Sequence, residues 1–163
     1  RPQGRRLMSK VLKQWQRLKD KPFGRWLFTK IVCWQAPYFG SIHPRIEEIE
    51  SGRMVVRIRQ RRSIQNHIQT IHAIALCNGA ELAAGVGIEA TIRPEWRWIP
   101  KTMTVRYLAK ATREARLEAK IDLPNDIGSG YDCVIPVVAT DPDGTRVFEA
   151  DITMWVTPRK RPG

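Results

Sequence analysis

One long segment near the middle of the chain carries almost no charge. Between Arg62 and Glu89 the only formally charged side chain is Glu81. From His72 onward the segment is rich in alanine and glycine, so it is apolar nearly all round and neighbouring backbone can approach it closely. A helix of this kind is buried inside a protein. We therefore expect a central helix over residues 72–89, surrounded by other elements.

The chain around this segment shows the two-residue period of β-strands. Met54, Val56 and Ile58 alternate with polar or basic residues before the helix, and four further alternating segments follow it. These four lie near residues 103–109, 115–121, 131–140 and 148–156. Their short connections suit antiparallel neighbours. The sequence therefore predicts an α+β fold in which an antiparallel β-sheet wraps around one long central helix.

The N-terminal part of the chain predicts two basic helices. Apolar residues recur at spacings of three and four from Leu7 to Leu18, among lysines and arginines, as in an amphipathic helix. A second helical stretch covers residues 25–34. We assign residues 1–36 to a helical extension and 37–163 to the domain proper. The extension packs on the domain or on a partner subunit, or alternatively contacts an anionic membrane surface.

The net charge of +12 is concentrated at the two ends of the chain. Residues 1–30 hold ten basic residues against one acidic residue, residues 159–163 add three basic residues, and the fifteen basic and fifteen acidic residues between them cancel. Nucleic-acid-binding domains usually carry their basic stripe on the fold itself. We therefore expect no specific binding of nucleic acid.

Other features of the sequence define further expectations. It has no run of about 18 uncharged apolar residues that would predict a membrane span, and its charged first thirty residues do not resemble a secretory signal. A cytoplasmic location is therefore expected. The three cysteines, Cys33, Cys77 and Cys133, lack the spacing of a disulfide framework or a zinc site. We expect no metal.

Glu81 is the first candidate for a catalytic residue. Burial of a carboxylate without a partner raises its pKa, towards the range that suits a general base or acid. Asn66 and His72 lie just before the helix N-terminus, where unpaired backbone N–H groups favour a developing oxyanion. A structural role is the alternative, in a hydrogen-bond network with Asn78 or in an ion pair across a subunit interface.

Asn66, His72 and Glu81 also carry a resemblance to a known family. Their spacing resembles the motif of the phenylacetyl-CoA-type (PaaI-like) thioesterases of the hotdog-fold superfamily. In that motif Asn-x-x-Gly-x-x-His-Gly-Gly leads into a central helix with an Asp or Glu. The family glycine after the Asn is Gln69 here, and the Gly-Gly pair is Ala73-Ile74. The resemblance implies a hotdog fold.

The resemblance also implies an activity, which is hydrolysis of an acyl-CoA thioester. Glu81 would activate water or attack the thioester carbonyl, and Asn66 and His72 would line the site. The backbone N–H of Ala73 or Ile74 would polarise the carbonyl. Homodimers or dimers of dimers, with sites between subunits, are implied as well. Coenzyme A would enter only as part of the substrate, so no separate cofactor is expected.

Two further groups of residues complete the predicted site. Basic residues on the strand that follows the helix are expected phosphate contacts, with a solvated strand face as the alternative: Lys101, Arg106 and Lys110. The expected substrate pocket consists of Leu76, Asn78, Trp98 and Met103. Glycine permits a close approach that alanine and isoleucine do not. The alternative to a thioesterase is therefore a non-catalytic module that binds acyl-CoA or lipid.

Overall fold

The computed structural model describes residues 8–159. Leu7, where the first helix is predicted to begin, lies outside the described residues. The helices are α1 (Lys10–Leu18), α2 (Gly24–Gln35) and α3 (Ala73–Thr91), with 3₁₀ helices at Pro37–Ile42 and Arg62–Ile64. The strands are β1 (Arg45–Glu50), β2 (Arg53–Arg59), β3 (Trp96–Tyr107), β4 (Glu114–Lys120), β5 (Tyr131–Thr140) and β6 (Arg146–Pro158).

The six strands form one antiparallel sheet in the order β1-β2-β4-β5-β6-β3. Helix α3 packs on the inner face of the sheet, mainly against β2 and β4. Among the described strands β3 pairs with β6 alone, so it forms one edge of the sheet. The predicted antiparallel sheet around one central helix is therefore confirmed.

Small residues allow α3 to lie close to the sheet. A Cβ atom on Gly79 would lie 3.2 Å from Leu117, and one on Gly87 would lie 2.6 Å from Ile121. By length and composition α3 is long and apolar enough to cross a membrane, although it carries Glu81 and Glu89, and 67% of its most apolar window is buried inside the fold. It is the one such helix in the described part of the chain. Its burial matches that of a core helix.

Two strands differ from the sequence prediction because β-bulges interrupt their alternation. Strand β1 is not predicted by the pattern, since a bulge after Ile46 places the buried Ile46 and Ile49 three residues apart. Strand β3 begins at Trp96, well before Met103, because a second bulge at Lys101 shifts its register against β6. Bulges occur often at sheet edges and beside functional sites.

Ion pairs cover the outer face of β1, β2 and β4. Arg57 on β2 contacts Glu47 at 2.7 Å, and Arg53 donates to Glu118 on β4 at 3.1 Å. That hydrogen bond from Arg53 holds the pKa of Glu118 below its ordinary value. The basic face predicted for β2 is therefore neutralised by its neighbours.

Helices α1 and α2 pack at the β1 end of the sheet. Trp15 and Phe28, one from each helix, belong to the same buried core as α3 and the sheet. Thr29 Oγ1 accepts a hydrogen bond from the backbone N–H of Ile46 at 3.2 Å, so α2 satisfies a polar group of strand β1. The described part of the helical extension therefore packs on the domain, which was the first of the alternatives given for it.

Candidate active site

One side of α3 faces the edge strand β3. Residues 77, 81, 85 and 89 are four apart, so they lie along this side. Tyr107 Oη lies 3.4 Å from Cys77 Sγ at one end, and Trp98 Nε1 donates to Glu89 Oε2 at 2.7 Å at the other. We call the stretch of helix and strand between these two contacts the α3–β3 gap, although the Trp98 ring reaches into it and would lie 3.3 Å from a Cβ atom on Gly85. Glu81 lies on the side of α3 that borders it.

Glu81 is partly exposed in the single chain, which corrects the expectation of full burial. Its carboxylate has no hydrogen bond or ion pair with any other residue in the range 8–159. The alternative network with Asn78 does not form, because Asn78 Nδ2 is directed to Tyr38 O and Ser41 Oγ. Glu81 is therefore available to act on a ligand.

Asn78 carries an open hydrogen-bond acceptor. Its Oδ1 is buried and has no partner among the described residues, although the residue is only 6% exposed. Buried acceptors of this kind are ordinarily satisfied by water or by a ligand. Asn78 lies three residues before Glu81, and its amide group is directed towards Tyr38 and Ser41 of the 3₁₀ helix Pro37–Ile42.

His72 is the N-cap of α3, and its ring accepts a hydrogen bond from one of the two predicted oxyanion donors. Its Nδ1 accepts the backbone N–H of Ile74 at 3.0 Å. The backbone N–H of Ala73 has no partner in the described part of the chain. Only Ala73 therefore keeps a free donor at the helix N-terminus in this structure.

Asn66 shapes the loop that precedes α3. Its Oδ1 accepts the N–H groups of Ile68 and Thr70 at 3.1 and 3.0 Å, and its Nδ2 donates to Thr70 Oγ1 at 2.8 Å. These bonds stabilise the turn formed by residues 66–70. A direct contact of Asn66 with substrate stays a prediction.

The predicted pocket residues divide between the gap and the core. Trp98 and Met103 lie on the inner face of β3, beside the α3–β3 gap, as do Val105 and Tyr107. Leu76 is 4% exposed and belongs to the hydrophobic core. The structure thus brings two of the apolar pocket residues, but not Leu76, to the side of Glu81.

The predicted phosphate contacts do not lie beside Glu81. Arg106 points to the outer face of the sheet and pairs with Glu149 at 2.6 Å. Lys101 pairs with Asp132 at 2.8 Å. Lys110 is exposed in the loop after β3. Within one chain, Lys101 and Arg106 are therefore already neutralised by carboxylates.

Cys77 and Tyr107 are the site residues that the sequence interpretation missed. Their hydrogen bond, together with partial burial, raises the pKa of Tyr107, which keeps the phenol protonated and able to donate. The signal was present, because Cys77 lies four residues before Glu81 and Tyr107 shares a strand face with Met103. No group of three or more potential metal ligands occurs among the described residues.

A family model with the description "Domain of unknown function (DUF4442)" matches residues 24–156. The chain belongs to this family. The DUF4442 match extends from the first residue of α2 almost to the end of β6. It therefore includes α2 together with the sheet and the central helix. No curated protein matches the sequence.

Solved structures resemble the chain over most of its length. A structural-genomics protein is 42% identical, covers 91% of this chain and 99% of its own, and has a TM-score of 0.79. A probable thioesterase from Pseudomonas aeruginosa is 23% identical, with 79% and 92% covered and a TM-score of 0.73. A hypothetical thioesterase from Streptococcus pneumoniae, solved with coenzyme A, is 18% identical, with 79% and 99% covered and a TM-score of 0.64. The predicted hotdog fold is confirmed.

The loop before α3 yields a test of stability. Gln69 has a φ of +62°, a conformation that costs non-glycine residues about 1–2 kcal/mol and explains why the resembling motif has glycine there. Gln69→Gly should raise the free energy of unfolding by up to about 1 kcal/mol, measured by urea denaturation. Ile68→Gly is the control, because Ile68 lacks a positive φ, and it should lower that free energy. Equal effects of both changes would contradict this explanation.

Proposed function

We propose that the protein hydrolyses acyl-CoA thioesters, with Glu81 as the base. The observation that carries the proposal is a carboxylate without a partner beside the α3–β3 gap, on the central helix of a hotdog fold. A similar structure, the Streptococcus pneumoniae protein, was solved with coenzyme A. The apolar side chains of Trp98 and Met103 beside the gap suit an acyl chain.

The proposed reaction uses three groups. The Glu81 carboxylate takes a proton from water, and the resulting hydroxide attacks the thioester carbonyl carbon. The backbone N–H of Ala73 donates to the oxyanion that forms. The C–S bond then breaks, the thiolate of coenzyme A takes up the proton, and the carboxylic acid is released. The third group is Asn78 Oδ1, an additional acceptor on the same helix without a partner among the described residues.

A change at Glu81 tests the base. Glu81→Gln keeps the size of the side chain but cannot accept a proton, so thiol release from acyl-CoA should fall about 10²- to 10⁴-fold. Glu89→Gln is the matched control, since its amide oxygen still accepts from Trp98, and it should retain activity. Hydrolysis that is unchanged in Glu81→Gln would refute this role.

Ala73→Pro tests the oxyanion donor alone. Ala73 is the first residue of α3, where proline is well tolerated, and its N–H has no partner among the described residues. His72 before it has φ −60° and ψ 138°, which is compatible with a following proline. We expect thermal stability to be kept while kcat falls about 10²- to 10³-fold. A kcat equal to that of the unmodified chain would exclude this donor.

A non-catalytic acyl-CoA-binding module is the second candidate. It is favoured by one observation, the hydrogen bond that occupies the Ile74 N–H and leaves a single donor. Isothermal titration of a non-hydrolysable acyl-CoA analogue separates the two functions when it is combined with the thiol-release assay. Saturable binding without turnover would support the module.

We further propose a site formed between two copies of the chain. Ala73 and Glu81 are eight residues apart, about 12 Å along the helix, whereas an oxyanion donor acts at about 3 Å from the oxygen it stabilises. The base of one copy and the donor of the other can meet if β3 edges pair. Ile99 in β3 and Leu108 directly after it are 58% and 48% exposed, as expected of surfaces that a partner covers.

Mixing two inactive variants tests this shared site. In a mixed dimer of Glu81→Gln and Ala73→Pro chains, one site combines the intact base with the intact donor. Random exchange of subunits should therefore restore about one quarter of the activity, because half of the dimers are mixed and each has one intact site. Sedimentation equilibrium of the same mixture measures its mass. No recovery in a verified mixed dimer would place both groups within one chain.

A further inference from the structure

Helix α2 exposes large apolar side chains on its outer face. Trp26, Leu27 and Trp34 are 60%, 43% and 81% exposed. They lie on one side of the helix, because Leu27 and Trp34 are seven residues, or two turns, apart. Phe23, just before the helix, is 83% exposed, whereas Phe28 on the inner face is 2% exposed. Helix α2 is therefore apolar on the side that packs against the core and also on its outer side.

A basic groove runs beside this outer face. It has a volume of about 950 Å³, and none of the described residues that line it is acidic. Trp26 belongs to both the groove and the outer face, and Lys30 Nζ lies 5.8 Å from its ring centroid. Six basic residues line the groove: Lys19, Lys21, Arg25, Lys30, Arg45 and Arg61.

The cations of the groove are mostly without ion-pair partners. Of the six, only Lys19 has a carboxylate within 4 Å among residues 8–159, that of Asp20 at 3.4 Å. The arginines of the sheet face, such as Arg53 and Arg57, each contact two glutamates. A cluster of unpaired cations produces a positive local potential that attracts anions. The groove is therefore suited to an anionic partner.

We propose that the outer face of α2 and the basic groove dock the protein on an anionic phospholipid surface. Helices that lie in the membrane interface combine exposed tryptophan and leucine with flanking lysine and arginine. Leu27 favours lipid over single-stranded nucleic acid, because it offers no aromatic face on which a base can stack. The proposal concerns a surface formed by α2 and its neighbours, and it does not depend on the thioesterase reaction.

Vesicle flotation with the full chain tests the docking. We expect the protein to float with vesicles of phosphatidylcholine mixed with phosphatidylglycerol, but not with vesicles of phosphatidylcholine alone. Binding should weaken as salt is added, since salt screens exposed charges. Equal binding to both kinds of vesicle, or to neither, would overturn the proposal.

Removing the aromatic side chains tests the apolar part of the surface. The double variant Trp26→Ser, Trp34→Ser should lower partitioning into the anionic vesicles at least about tenfold, because each ring loses its burial in lipid. Both side chains are largely exposed, so circular dichroism should show the fold unchanged. Binding equal to that of the unmodified chain would exclude α2 as the docking element.

Removing charges tests the groove against a matched control. The triple variant Lys21→Gln, Lys30→Gln, Arg45→Gln should lower partitioning on the order of a hundredfold, about fivefold for each residue. The control removes the same number of charges at exposed positions outside the groove: Arg113→Gln, Lys120→Gln and Arg146→Gln. Equal losses in the two triple variants would mean that net charge, and not the groove, governs binding.

Two further measurements distinguish other partners for this surface. Fluorescence anisotropy measures the binding of a labelled single-stranded oligonucleotide. The proposal would be overturned if the unmodified chain bound the oligonucleotide more tightly than the vesicles and the Lys21→Gln, Lys30→Gln, Arg45→Gln variant lost that binding. Sedimentation equilibrium of the Trp26→Ser, Trp34→Ser variant would overturn it if the loss of the rings dissociated an oligomer. An unchanged mass, together with weak oligonucleotide binding, would support the lipid surface.

Discussion

The close approach of α3 to the sheet is the constraint on which the rest of the structure depends. Gly79 and Gly87 leave room for Leu117 and Ile121, so the helix packs tightly against β2 and β4. Larger side chains at these two positions would push the helix away from the sheet. Because α3 packs mainly on β2 and β4, its side towards β3 is left less covered. On that side Gly85 leaves room for the Trp98 ring of β3.

Two hydrogen bonds join α3 to β3 at the two ends of the gap, and the Glu81 carboxylate between them has no partner among the described residues. The Trp98–Glu89 and Tyr107–Cys77 hydrogen bonds join strand to helix, and they use one of the two carboxylates on this side of α3. Glu81 has the same chemistry as Glu89 but no partner among the described residues. Glu89 therefore holds α3 to β3, whereas Glu81, on the same face of the helix, is available for chemistry.

The fold could be predicted from the sequence where the periodic pattern is uninterrupted. The uncharged segment around Glu81 predicted α3, and the strands without bulges followed from their alternation. Strand β1 and the start of β3 could not be found in this way, because a bulge adds one residue and moves the next buried side chain out of phase. At the candidate site, Glu81 and His72 were predicted from their spacing and the resemblance that it carries, whereas the N-cap role of His72 was not predicted. The loss of the Ile74 N–H to the His72 ring could not be found, since it depends on a side-chain rotamer.

The two edges of the sheet are treated differently, and this difference limits how copies of the chain can assemble. At β1 the hydroxyl of Thr29 satisfies the Ile46 N–H, and α2 packs against the strand. At β3 no described element covers the edge. A sheet with two open edges can add strands at both ends and grow into a filament. A sheet with one open edge offers a single place at which a strand of another copy could be added.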